Sequence, residues 1–155
     1  MRSGAGPRPA GRCVIVVDTT VLVFAVGADH PHVEPSRRLL QAVAAGDVHA
    51  TTTYEVIRGF AHVRARRRGR SDARRLARSF AQLLAPLLAF GDGDLDLGLR
   101  LFERHEQLGA FDAFLAAAAL RHDASTVVSA DSGFSAVREL EHVEPTEEAI
   151  ERLLA

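Results

Sequence analysis

Apolar positions fall along this chain in two modes: short unbroken runs, and longer stretches spaced three or four residues apart. Cys13–Val17 is continuous and β-branched, which predicts a strand buried on both faces, as in a parallel sheet. Thr126–Ser129 reads the same way, with shorter candidates at Val48–Thr51 and around Val143 and an apolar run at Pro86–Phe90. The helical mode predicts elements over Val21–Val26, with Thr19 and Thr20 offering caps, and from Ser36 to near Gly46. It continues over Thr53–Arg67, Asp72–Ala85 after a break at residues 69–71, and from a turn at residues 91–94 to about Leu108. An alanine-rich helix spans Ala110–Arg121, a short one Ser132–Leu140, and a closing one runs to Leu154 with Thr146 as its cap. Strands alternating with helices give an α/β domain built on a mainly parallel sheet.

The 155 residues, 47% of them hydrophobic, suffice for one core: a single domain over residues 13–155 behind a loose, Gly- and Pro-rich tail at 1–12. That basic opening has no separate apolar segment behind it and does not read as a signal peptide. No run reaches the length of a membrane span, and the single cysteine, Cys13, agrees with a reducing cytoplasm. Charge changes the picture more. The formal net charge is −1, yet residues 1–90 hold 14 arginines against six acids and residues 91–155 hold five against 14. There is no lysine, which excludes Schiff-base and P-loop chemistry.

Two acids stand at the carboxyl ends of predicted strands, where ligand sites of open α/β sheets lie. Asp18 follows Val14–Val17, and Asp131 follows Val127–Ala130. Two more, Glu55 and Asp112, interrupt apolar helix segments near their starts. Singly, each could be a helix or strand-end cap favoured by the helix dipole. Four at successive strand–helix junctions could instead converge on one pocket and bind a hard divalent cation through oxygen. A phosphoacceptor domain would need a lysine, and a haloacid-dehalogenase-type phosphatase an aspartate where Thr20 stands.

The residues around these acids resemble the PIN-domain family, and within it the VapC-type toxin ribonucleases. The resemblance is carried by Val16–Leu22, Thr51–Val56, Phe111–Ala118 and Val127–Phe134, in that order. It implies a three-layer sandwich with helices on both faces of the sheet. It also implies a metal-dependent endoribonuclease using one or two Mg²⁺ or Mn²⁺ ions. On this pattern Asp18, Asp112 and Asp131 are the expected metal ligands, Glu55 completes the catalytic set, and Thr19 and Ser129 donate to the carboxylates. The implied partners are RNA, a cognate VapB-type antitoxin and a second copy of the chain, with no membrane. A catalytically inactive PIN-like module and a DNA-directed nuclease are the alternatives.

Residues 58–78 carry nine arginines against one acid, Asp72. This window is either a solvated hairpin tip or a surface that tracks phosphates, with Arg64, Arg66, Arg67 and Arg68 as the expected RNA contacts. Few aromatics are present for base stacking. The seven histidines show no zinc-binding spacing and read as solvated.

Overall fold

A computed structural model describes residues 13–155; the expected tail at 1–12 lies outside the described residues. Four parallel strands form one sheet in the order β2-β1-β3-β4: β1 (Val14–Val17), β2 (His49–Thr51), β3 (Thr126–Val128) and β4 (Glu141–Val143). Helices α1 (Thr19–Ala25) and α2 (Val33–Ala45) connect β1 to β2. Four more helices connect β2 to β3: α3 (Tyr54–Arg68), α4 (Arg70–Leu83), α5 (Asp92–Arg104) and α6 (Ala110–Arg121). A 3₁₀ turn over Ser132–Ala136 leads to β4, and α7 (Glu147–Leu154) closes the chain.

The chain leaves β1 toward one edge and returns to β1's other side as β3. Strand order therefore reverses between β1 and β3, which is where open parallel sheets place their ligand crevice. Ile15, Val16, Val17, Val127 and Val128 are buried there. The β-branched runs are unbroken because these central strands are covered on both faces.

Several boundaries differ from the sequence pattern, each for a local reason. α2 begins at Val33, not Ser36, and includes Pro35 in its first turn, where a backbone N–H has no intrahelical partner to lose. Ser36 is buried inside the helix rather than capping it. α1 is capped by Asp18 rather than by Thr19 or Thr20. Only Gly69, with φ of 91°, separates α3 from α4; a left-handed φ is open to glycine at no steric cost. Residues 86–90 form no strand: Leu88 makes one isolated bridge to Thr53. α5 stops at Arg104, and the helix expected over 132–140 shrinks to the 3₁₀ turn.

Every side chain of α6 from Leu115 to Ala119 is buried, as is Ala113. Against it, Gly98 of α5 lies where an added Cβ would sit 2.3 Å from the Phe114 ring, so only glycine lets the two helices pack this closely.

Candidate active site

β1 ends in Asp18, and the same geometry that makes Asp18 the N-cap of α1 fixes its carboxylate. Oδ1 accepts from the Thr19 backbone N–H at 2.7 Å; Oδ2 accepts from the Ser129 hydroxyl at 2.6 Å and the Thr20 hydroxyl at 3.3 Å. Asp18 is 3% exposed. Burial pushes its carboxyl above the ordinary value of 3.8, the charge of Asp131 adds to this, and the three donors oppose it.

One strand over, β3 continues into residues 129–131. The Ser129 hydroxyl that donates to Asp18 accepts from the Asp131 N–H at 3.0 Å, and Thr20 Oγ1 accepts from the Ala130 N–H at 3.0 Å. Two hydroxyls thus tie the ends of β1 and β3 together. Asp131 turns its Oδ1 to the Gly133 N–H at 2.8 Å, capping the 3₁₀ turn. Behind this loop the His142 ring bonds the Ser129 carbonyl oxygen through Nε2 (2.8 Å) and the Ser135 hydroxyl through Nδ1 (2.7 Å). A carbonyl can only accept, so Nε2 carries a proton.

Asp112 reaches the same place from the first turn of α6. It is half-buried and hydrogen-bonded to Asp131, with Asp18 close enough to repel it. Burial first, then that bond and the two neighbouring charges, push its carboxyl from 3.8 up to about 8. The Asp112 bond correspondingly holds Asp131 below its ordinary value, helped by the Gly133 N–H. The two shifts run in opposite directions, as expected of neighbouring carboxylates that resist ionising together. Three acids from separate stretches of sequence therefore meet at the switch point, graded from buried Asp18 through half-buried Asp112 to exposed Asp131. In their present rotamers no three His, Cys, Asp or Glu side chains among the described residues form a metal-holding group.

Glu55 stands apart from this hydrogen-bonded set. It pairs with Arg58 one turn along α3, and both line a groove of about 420 Å³ with Phe90, Phe111 and Phe114. Gly59, four residues on and so on the same helix face, lies where a Cβ would meet the Thr19 hydroxyl at 3.3 Å and the Phe111 ring at 3.7 Å. α3 thus passes beside Thr19 and Phe111, the chain neighbours of Asp18 and Asp112. Thr19 itself contributes its backbone N–H; its hydroxyl is buried without a partner among the described residues. Of the two threonine hydroxyls it is that of Thr20, beside that of Ser129, that serves Asp18. His142, read as solvated, is instead half-buried and bonded through both nitrogens.

The arginine window divides. Arg64 donates to Asp72 at 2.5 Å, and its NH1 reaches the Val26 carbonyl oxygen at 3.4 Å, so this guanidinium clamps α3 to α4 and to the end of α1. Two of its nitrogens are thus engaged within the fold, which sets it apart from its neighbours in the window. Arg66, Arg67 and Arg68 are exposed in the last turn of α3, where the helix dipole favours cations.

Known proteins place this geometry. The PIN domain family model matches residues 15–140. Ribonuclease VapC7 of Mycobacterium tuberculosis is 46% identical over 136 residues, which is 85% of this chain and 92% of that protein. Ribonuclease VapC13 of the same organism is 26% identical over 121 residues, 78% of this chain and 92% of its own. Among solved structures, a VapBC2 complex from Rickettsia felis bound to a promoter DNA fragment superposes with a TM-score of 0.67 at 16% identity. The match covers 84% of this chain and 98% of that one. A FitAB complex bound to a DNA fragment superposes at 0.66 and 18% identity, over 84% of this chain and 94% of the other. Those two likenesses speak for the fold. The family match and the 46% relative establish that this chain belongs to the PIN-domain family, in its VapC branch.

Proposed function

We propose that the protein is a metal-dependent endoribonuclease that hydrolyses RNA phosphodiester bonds as the toxin of a toxin–antitoxin pair. The observation that carries this reading is the convergence of Asp112 and Asp131 beside buried Asp18 at the switch point of the sheet. Three carboxylates brought this close repel one another unless a positive charge stands between them. Six carboxylate oxygens are hard donors of the kind Mg²⁺ and Mn²⁺ take, so Asp18, Asp112 and Asp131 are the residues that would hold the ion. A divalent ion supplies acidified water near neutral pH and charge to offset that of the phosphate.

The chain's own residues do the rest. Ser129, Thr20 and the Thr19 N–H hold Asp18 in one orientation. Asp112 must lose its proton before it can ligate, which couples ion binding to pH. Glu55, paired with Arg58 on the groove that Phe111 also lines, is assigned to orient a water or the scissile phosphate. The ribonuclease names of the relatives support RNA as the substrate. They support a cognate antitoxin as partner only through the family. Leu95, Leu99 and Phe102, exposed at helical spacing on α5, supply apolar surface for such a contact or for a second copy.

Purified protein tested on total RNA with Mg²⁺ or Mn²⁺ should cleave it, and EDTA should stop cleavage. Asp18→Asn and Asp112→Asn should each lower the rate by at least about a hundredfold, since both remove a ligand charge. Equal activity in the substituted proteins, or cleavage of DNA in place of RNA, would overturn the reading.

A further inference from the structure

A second charged surface, apart from the acids, runs along α4. Its inner face is Ala73, Ala77 and Phe80, packed on α3 and the core. The outward positions repeat every four residues: Arg70, Arg74 and Arg78, all exposed. None of the three has an acidic partner among the described residues, whereas Arg75 and Arg64 beside them share Asp72. Arg70 and Arg74 also face Arg66 of α3 across a hollow of about 630 Å³. Ala61, Ala65 and Ala73 line that hollow too, and their short side chains leave room for a chain to lie in it. A second hollow of about 460 Å³ continues it past Arg74 and Arg78 to Ser79 and Gln82.

We infer that Arg70, Arg74 and Arg78 form a ladder that carries the phosphate backbone of the RNA substrate, with Arg66 as its far rail. The inference rests on the nuclease reading above and adds the route by which the strand is held. Successive rungs are about 6 Å apart along the helix axis, a spacing of the same order as that between neighbouring phosphates of one strand. Guanidinium groups suit phosphate oxygens through paired N–H donors. The ladder covers about 12 Å of axis, enough for three phosphates. α4 runs back from the hairpin tip alongside α3, whose Gly59 lies against Thr19 and Phe111 next to the acids, and Phe80 stacks edge-on against Phe60. The rungs therefore lead from the tip toward the pocket. Contacts of this kind hold and align a strand without reading its bases.

Salt dependence separates this role from a merely solvated face. The probe is a labelled 20-residue oligouridylate, bound to an Asp112→Asn protein that does not cut it. Each lost phosphate contact lowers the magnitude of the slope of log K against log salt by about 0.7 for a single strand. The triple variant Arg70→Gln, Arg74→Gln, Arg78→Gln should lower it by about two, with an unchanged melting temperature because all three side chains are exposed. In the uncompromised active site the triple variant should raise KM for a long RNA several-fold and leave kcat close to unchanged. An unchanged slope with active wild type overturns the ladder and leaves the nuclease reading standing; a wild type that cuts no RNA overturns that reading first. If the variant instead loses binding of a polyglutamate probe while its RNA slope holds, the surface serves an acidic polypeptide and the ladder is wrong.

Discussion

The acid pocket and the arginine face are opposites in more than charge. In the pocket nearly every polar atom is committed: Asp18 accepts three hydrogen bonds, and one Ser129 hydroxyl serves both strand ends. On the outer face of α4, Arg70, Arg74 and Arg78 have no acidic partner among the described residues and stand in solvent. The pocket is preorganised at the cost of repulsion among its carboxylates. The face is uncommitted, costs little to maintain, and gains only when a polyanion arrives. Chemistry that depends on angles belongs in the first environment; affinity that tolerates many sequences belongs in the second.

The contrast can be broken most forcefully at Ser129. Ser129→Ala removes the donor to Asp18 and the acceptor for the Asp131 N–H without touching a carboxylate, so cleavage should fall about 10- to 100-fold. RNA binding in the Asp112→Asn background should hardly change. A loss of binding as large as the loss of rate would show that the two regions are not separable.

A second effect is read in stability rather than rate. With metal chelated, the proton on Asp112 contributes stability fully below the value for an unfolded aspartate, near 3.8, and that contribution is lost as pH rises toward about 8. Asp131, held below its ordinary value, acts in the opposite sense and only on the acid side of 3.8. The melting temperature in EDTA should therefore decline between weakly acidic and weakly alkaline pH, and Asp112→Asn should flatten the profile. A flat wild-type profile would mean that the acids do not share a proton.

The smallest effect lies within the arginine window itself. Arg64, clamped to Asp72 and Val26, belongs by its bonding to the committed class, and Arg64→Ala should cost about 1–2 kcal/mol of stability. Arg68→Ala, fully in the solvated class, should stay within about 0.5 kcal/mol. Equal costs in denaturant unfolding would erase the distinction.

Asp18 and Asp131 were legible because a strand-ending acid after a β-branched run advertises both the strand and its open end. Asp112 was legible because an acid has little reason to open an apolar helix. Thr20 was not: its partners Ser129 and Ala130 lie more than a hundred residues away, and no local pattern encodes them. His142 carries no spacing signal either, since its partners are a carbonyl oxygen and a serine brought in by the β3–β4 turn. Arg64 looked like Arg66 because the difference is made by Asp72 on the following helix. The alternation of strands and helices gave the layers away, while helix ends moved wherever a cap or a proline in the first turn had a neighbour to satisfy it.

The alanines of α6 carry a consequence for chemistry. Ala113 and Ala116–Ala119 are buried, and their small size sets how near α6 can settle against its surroundings. Asp112 rides on the first turn of that helix, so its distance from Asp18 and Asp131 is gauged by methyl groups a turn away. A bulkier apolar residue at Ala117 would act as a shim, lifting the helix and parting the acids. The ionic centre of this molecule is thus calibrated from within its oiliest segment, and an entirely hydrophobic change there would register as a change in acidity.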